Sequence, residues 1–390
     1  MNSTEIKERD KKNIINTYKR NDTVIISGKN ALCYSPEGRE YIDFTSGIGV
    51  NSLGFCNEEW VEAVSYQAAK IQHTSNLYYN APCTELARTL TERTGMEKAF
   101  FCNSGAEAIE TAIKISRKYG NSKSPARNGI MTLKQSFHGR TMAALTATGQ
   151  EKMHKDFMPF AEGFSYCEPG NIKEAEYILD SGSICGVIAE MIQGEGGVNV
   201  LEKDFVKELK DICDHNDIIF TADEVQTGVG RTGRFFAYEH YDIVPDIITF
   251  AKGLGGGLPI GGVLTGQKTS EVLVPGDHGS TFGGNPVVCA GANAVIRQMD
   301  KNLMDAVSKK GEYIKEELER MSKVESVTGL GLMIGVKLNG ISPSDAAKQA
   351  MDRGLLVLTA GEKMRLLPPL TIEYEDIDKG INILGEILDQ

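Results

Sequence analysis

The chain has 390 residues, 41% hydrophobic and 24% charged, with a formal net charge of −11. That balance fits a soluble globular protein of two or three core-forming units and argues against nucleic-acid backbone binding. No apolar run approaches membrane-span length, the N-terminus is polar rather than signal-like, and the eight cysteines include no Cys-x-x-Cys pair. These features point to a reduced, cytoplasmic protein away from membranes, without a disulfide framework or a metal site.

In chain order, residues 5–18 predict a polar helix. A small antiparallel meander follows, with strands at Val24–Ile26, Ala31–Tyr34 and Tyr41–Phe44 between turn residues. Ser46–Gly54 is too glycine-rich for a regular element. Residues 58–72 return to helical periodicity through Trp60, Val61, Val64, Ala68 and Ile71. From about residue 84, strands and helices alternate. Strands are predicted at Ala99–Cys102, Ile130–Leu133, Cys185–Glu190, Ile218–Asp223 and Ile247–Ala251. Helices are predicted at Ser104–Tyr119, stopped by Gly120, and at Lys203–His215, where Phe205, Leu209, Ile212 and Cys213 share one face. This alternation calls for an α/β fold: a mainly parallel sheet with helices on both faces. Beyond Pro286 a second, α+β unit is predicted. It is helical to about Lys323 with a break near Lys301-Asn302, has a glycine-kinked strand at Val327–Lys337, and ends in helices at Ser342–Arg353 and Tyr374–Asp389.

Lys252 ends the strand Ile247–Ala251, and six of the ten residues after it are glycine. Strand ends beside glycine-rich loops are where open α/β sheets bind ligands. Shelter from water lowers a lysine's pKa and frees its amine as a nucleophile. Alone, the segment reads more simply as a solvated lysine at a strand terminus; its company changes that. Asp223 ends the preceding strand, and on parallel neighbours both side chains would meet at one carboxyl edge. A buried carboxylate needs a partner. Pyridoxal 5′-phosphate supplies one, its ring nitrogen held protonated by an Asp and its aldehyde held by a Lys as a Schiff base. Gln226 could then reach the ring's phenolic oxygen. Asn103-Ser104-Gly105-Ala106 lies between a strand and a helix, where free N–H groups and the helix dipole bind phosphate. After another strand, Phe137 could stack on a flat ring and Arg140 could take a carboxylate bidentately. Singly, each has a plainer reading: a helix cap, a common helix start, a core phenylalanine, a surface arginine.

Together, Asn103-Ser-Gly-Ala106, Phe137-His-Gly-Arg140, Asp223-Glu-Val-Gln226, Lys252 and Gly279-Ser-Thr-Phe-Gly-Gly-Asn-Pro286 resemble the class III, ornithine-aminotransferase-like group of pyridoxal-phosphate enzymes. The motifs fall in family order over nearly the whole chain. The resemblance implies fold type I: a large domain at 51–285 with a seven-stranded type of sheet, and a small α+β domain from 1–50 and 286–390. It implies that Lys252 carries the cofactor and shuttles the proton, Asp223 holds the ring nitrogen, Gln226 holds the ring oxygen and Phe137 covers the ring. Ser104, Gly105 and Ala106 would hold the phosphate, with Glu224 and Val225 in the same cofactor shell. Thr281 would arrive from the other subunit of a homodimer. Arg140 and Ser280 would hold an acylated diamino acid. Arg365 would bind the α-carboxylate of glutamate or 2-oxoglutarate, and Glu195 would pair with it otherwise. Alternation between two substrates implies ping-pong kinetics.

Within this group, Ser46–Gly54, His73–Asn80 and Met364–Ile372 resemble relatives that take N2-acetylornithine as amino donor in arginine biosynthesis. Ornithine, succinylornithine and 4-aminobutyrate remain alternative donors, and an intramolecular aminomutase is a further reading. Ile48, where ornithine-specific relatives tend to carry Tyr, leans away from free ornithine. A non-catalytic binding protein would need neither Lys252 nor Asp223. Three residues depart from the family pattern: Phe55 for His, Met191 for Pro and Ala106 for Thr.

Overall fold

The structure, a computed structural model, describes residues 1–389. Its centre is a seven-stranded sheet. The strands are β1 (Lys98–Cys102), β2 (Gly129–Leu133), β3 (Phe164–Cys167), β4 (Ile184–Ala189), β5 (Ile219–Asp223), β6 (Ile247–Phe250) and β7 (Gly261–Thr265). They lie in the order β1-β7-β6-β5-β4-β2-β3. β7 runs antiparallel to both its neighbours, and every other adjacent pair is parallel. β2, β4, β5, β6 and β7 are buried along their whole length. Burial on both faces is why most of them read as unbroken apolar runs rather than as alternating patterns.

The structure corrects several sequence expectations. Gly120 does not stop its helix, which runs Gly105–Lys123. A Cβ there would fall 2.2 Å from the Arg127 carbonyl oxygen and 2.4 Å from Cys185 Cβ. The glycine therefore marks a close approach of helix to sheet, not an end. Val24–Ile26 forms no strand; the meander begins at Ser27–Lys29, which pairs antiparallel with Leu32–Tyr34. The first helix is Ser3–Asn13, capped by Asn2, and stops short of Tyr18. Val327–Lys337 belongs to a hairpin, Val324–Leu330 against Met333–Leu338, turned at Gly331 with φ 53°. β3, β7 and the helices Ala81–Thr94 and Ile172–Leu179 add to the predicted set.

Two four-stranded sheets and a two-stranded one, Ile192–Gln193 with Asn199–Val200, accompany the large sheet. Glu40–Asp43 pairs in parallel with Leu355–Leu356, tying the N-terminal meander to the C-terminal segment. Lys363–Leu366 pairs antiparallel with Met333–Leu338 and with Leu358–Ala360. The helix Pro286–Gln298 packs against the helices Glu58–Lys70 and Ala81–Thr94, where Asn293 Nδ2 donates to the Pro82 carbonyl at 2.9 Å. No helix among the described residues is long and apolar enough to cross a membrane.

Candidate active site

β5 and β6 are parallel neighbours with Asp223 opposite Thr249, so Asp223 and Lys252 emerge at one carboxyl edge of the sheet. A cavity of about 420 Å³ opens there. It is lined by Asp223, Lys252, Asn103–Ala106 beyond β1, Phe137–Arg140 beyond β2, Glu190 beyond β4 and the glycine-rich turn 257–260. Lys252 holds φ 39°, in the left-handed region that side chains disfavour. That conformation turns the chain away from β6 into the glycine-rich loop directly at the reactive residue.

Asp223 is 3% exposed, and its three hydrogen bonds leave one acceptor position free on Oδ2. Its Oδ1 accepts from the Val225 N–H and the Thr249 hydroxyl, each at 3.1 Å. Its Oδ2 accepts from His138 Nδ1 at 2.7 Å. Burial works against a charged His138, but the hydrogen bond and charge of Asp223, with Glu190 behind, outweigh it and hold the imidazole pKa above its ordinary value. Glu190 accepts the Phe137 N–H at 2.9 Å. Burial, and secondarily the Asp223 charge, push the Glu190 carboxyl up to about 8 against the pull of His138 and Lys252. The Lys252 pKa is lowered, chiefly by burial, with Arg365 adding to the effect and Glu195, Asp223 and Glu190 opposing it.

A second cluster lies behind Gln226. Arg365 Nη1 reaches Glu195 Oε1 at 2.6 Å, Gln226 Oε1 at 2.9 Å and the Gly194 carbonyl at 3.1 Å. Gln226 Nε2 in turn donates to Glu195 Oε1 at 3.3 Å. Burial raises the Glu195 pKa, but the guanidinium of Arg365 outweighs it and keeps the acid below the usual range.

The remaining sequence-derived residues divide. Ser104 caps the helix Gly105–Lys123 through its hydroxyl, and the N–H groups of Gly105 and Ala106 find no acceptor among the described residues. Phe137, Val225 and Arg140 line the cavity, and the Arg140 guanidinium lies 5.3 Å from the Phe137 ring centre. Glu224 does not line the cavity. It points the other way and accepts from the Thr227 hydroxyl and from the N–H groups of Ala237 and Tyr238, at 2.9 and 2.8 Å. Successive side chains of extended backbone face opposite sides, so Asp223 and Glu224 cannot share the cavity. Ser280 stands just outside the lining, where its Oγ accepts from Asn103 Nδ2 at 3.1 Å. Thr281 is exposed and away from the cavity of its own chain. Of the departures, Met191 is fully buried in the core and Phe55 packs over Gly28, while Ala106 alone lines the cavity.

His138 and Glu190 were missed as functional candidates. A signal existed for Glu190: an acid ending an apolar strand, as Asp223 does. For His138 the only signal was its place inside Phe137-His-Gly-Arg140.

Residues 15–388 match the family described as aminotransferase class-III. The chain belongs to the class III aminotransferases. It is 44% identical over 392 residues to an acetylornithine aminotransferase of Haemophilus ducreyi, with all of both chains covered. It is 45% identical over 388 residues to one of Caldanaerobacter subterraneus subsp. tengcongensis, with 98% of each covered. Among solved structures it is similar to ornithine aminotransferase from Toxoplasma gondii, with a TM-score of 0.94 at 30% identity over 99% of this chain and 94% of that one. That structure has partial occupancy of pyridoxal phosphate at its active site.

Class III aminotransferases use pyridoxal 5′-phosphate, and the residues of this class III chain fit it. Two unpartnered N–H groups at the start of a long helix suit a phosphate. A buried carboxylate with fixed hydrogen bonds suits a protonated ring nitrogen, and a lysine with a lowered pKa suits an aldehyde.

Proposed function

We propose that this aminotransferase moves the terminal amino group of N2-acetyl-L-ornithine to 2-oxoglutarate, giving N-acetylglutamate 5-semialdehyde and glutamate, a step of arginine biosynthesis. The observation that carries the reading is the Arg365–Glu195 pair at 2.6 Å, bridged to the cavity by Gln226. An enzyme that takes first an amine without a carboxylate at its reacting end, and then a keto acid with one, needs an arginine that can be masked. The names of the curated relatives, acetylornithine aminotransferases over the whole length, support the same donor.

Gly105 and Ala106 would hold the cofactor's phosphate, Phe137 and Val225 would bracket its ring, Asp223 would face the ring nitrogen and Lys252 the aldehyde carbon. When bound, the protonated cofactor ring would delocalise the electron pair left on the substrate carbon as its proton departs. Lys252 moves that proton, since burial favours its neutral amine. Asp223, clamped by His138, Thr249 and the Val225 N–H, keeps the ring nitrogen's proton in place. Gln226 retains a second Nε2 hydrogen for the ring's phenolic oxygen. Arg140 binds the donor's carboxylate, with Ser280 alongside. Glu195 masks Arg365 for the donor and yields it to the α-carboxylate of 2-oxoglutarate.

The working unit in this reading is a homodimer in which Thr281 reaches the neighbouring phosphate. Asn76 Nδ2 donates to the Ser280 and Gly283 carbonyls, each at 2.9 Å, and so places the segment 77–79 beside the loop of Thr281. There Leu77, Tyr78, Tyr79 and Phe282 are 86%, 71%, 99% and 62% exposed, an apolar face suited to a second copy. The domain division 51–285 against 1–50 with 286–390 is supported by the pairing of Glu40–Asp43 with Leu355–Leu356. Eight free cysteines suit a reducing cytoplasm.

A donor panel tests the reading. Acetylornithine, succinylornithine, ornithine and 4-aminobutyrate are each supplied with 2-oxoglutarate, and glutamate formation is followed. Acetylornithine should give the highest kcat/KM. Preference for another donor, or turnover without 2-oxoglutarate as in an aminomutase, overturns it.

A further inference from the structure

His278 immediately precedes the loop Gly279–Asn285 and leans on the outer face of the helix Gly105–Lys123. Its Nε2 lies 2.9 Å from Thr111 Oγ1 and its Nδ1 lies 3.0 Å from Lys114 Nζ. The proton positions follow from the neighbours. Thr111 has one hydroxyl hydrogen, which it donates to the Glu107 carbonyl at 2.8 Å. His278 Nε2 must therefore donate to Thr111. Lys114 is a donor only, so Nδ1 must accept from it. The ring is thus a neutral Nε2–H tautomer with both nitrogens used, and it packs on Phe100 with centroids 5.0 Å apart.

The same helix face makes further contacts with this segment. Lys114 Nζ donates to the Asp277 carbonyl at 2.7 Å, and Lys118 pairs with the Asp277 carboxylate. Residues 111, 114 and 118 share one face of the helix by their spacing. At its other end this helix presents the N–H groups of Gly105 and Ala106, and Glu107 accepts from the Asn103 N–H at 2.7 Å. One helix therefore shapes its own chain's phosphate cradle and also fastens the loop that carries Thr281.

We propose that His278 is a positioning residue: as a neutral latch it docks the loop Gly279–Asn285 on the helix Gly105–Lys123, and its protonation releases that loop. The consequence for the cofactor rests on the reading that Thr281 reaches the phosphate of the partner subunit. A second proton would place an Nδ1–H against the Lys114 ammonium with no acceptor between them.

The charged groups around the ring are few. From the helix come Lys114 and, farther off, Glu107 and Glu110; from its own segment comes Asp277, neutralised by Lys118. From β1, Lys98 shares the adjoining hollow and is paired with Glu271. Burial and Lys114 together outweigh the two glutamates and hold the His278 pKa below its ordinary value. The docked histidine thus binds a proton less readily than the released one. Docking is intact above the ordinary histidine pKa of about 6.5 and weakens as pH falls below it.

The test uses the holoenzyme with two readouts: hydrogen exchange of the peptide spanning 279–285, and cofactor absorbance retained after gel filtration across about pH 5–8. In His278→Ala, loop exchange at neutral pH should rise roughly tenfold, the loss of about one hydrogen bond's worth of protection, and the acid step in cofactor retention should vanish. His278→Gln, whose amide can still donate to Thr111, should keep most of the protection yet also lack the acid step. Lys114→Met, at an exposed position, removes the charge that opposes the second proton, so the docked and released pKa values draw together and the acid step should shrink and move to lower pH. Unchanged loop exchange in His278→Ala, or an unmoved acid step in Lys114→Met, overturns the latch. Thr281→Ala separates the two readings, because it should lose cofactor with loop exchange unchanged. If it keeps its cofactor, the assignment of Thr281 fails and the link from latch to cofactor fails with it, while loop exchange still judges the latch.

Discussion

His138 Nδ1 and Asp223 Oδ2 lie 2.7 Å apart, and both side chains are almost fully buried. Asp223 thus meets the cavity with its charge already shared and its orientation fixed from behind. His138→Leu would fill similar space but leave Asp223 only the Val225 N–H and the Thr249 hydroxyl. Turnover should fall roughly 10- to 100-fold, the worth of one charge-assisted hydrogen bond. Asp223→Asn should fall further, by at least about 100-fold, because the stabilising charge itself is gone. Steady-state rates near wild type in both variants would reduce the pair to a packing feature.

Lys252 should carry the cofactor. It alone joins the strand end, the glycine-rich loop and a pKa lowered by burial. The purified protein should be yellow, and borohydride should fix the cofactor to the single peptide containing Lys252. Lys252→Ala should give neither the label nor turnover. Label on any other lysine would sink the assignment.

Why Lys252 and Asp223 were legible, while His138 and Glu224 were not read correctly, is a matter of geometry. The ends of β5 and β6 can be placed from apolar runs, since both strands are buried on both faces. A residue ending such a run is thereby placed at the sheet's edge. Which way the following residue points depends on the local backbone, and Glu224 turned inward to the Ala237 and Tyr238 N–H groups. β7 escaped notice because it opens with Gly261-Gly262. A Cβ on Gly261 would fall 2.2 Å from the Ser104 carbonyl oxygen, so packing against the phosphate turn removes the apolar signal. Arg365 comes from Lys363–Leu366, a strand of another sheet, and its approach to Glu195 is set by tertiary packing alone. Only the family resemblance singled it out.

Glu190 should leave a mark on stability. Burial holds its carboxyl up to about 8, whereas the unfolded chain releases that proton near 4.3, the usual glutamate value of about 4.3. The native state therefore binds more protons between these limits, and the stability this group contributes is present below them and lost as pH rises through the window. His138, also raised, acts in the same direction. Glu190→Gln keeps an oxygen for the Phe137 N–H. In the cofactor-free protein it should flatten the fall in Tm between about pH 5 and 8 by roughly a few degrees. A Tm profile parallel to wild type would mean that Glu190 is already ionised in the folded protein.

Arg365 is 2% exposed and its Nη1 already serves Glu195, Gln226 and Gly194. A carboxylate entering the cavity must therefore displace Glu195, whose own side chain is 25% exposed and freer to move. The amino donor brings no carboxylate to its reacting end, so for it the pair stays closed. Removing the mask leaves a permanent guanidinium beside Lys252, which favours binding of glutamate through its α-carboxylate. Glu195→Ala should therefore speed the half-reaction with glutamate relative to that with acetylornithine. Arg365→Ala should slow the glutamate half by roughly 100-fold, the loss of a bidentate charged contact, and change the acetylornithine half far less. Single-turnover absorbance traces with each substrate separate the halves. If both variants slow both halves by the same factor, Glu195 and Arg365 form a structural ion pair and do not select between substrates.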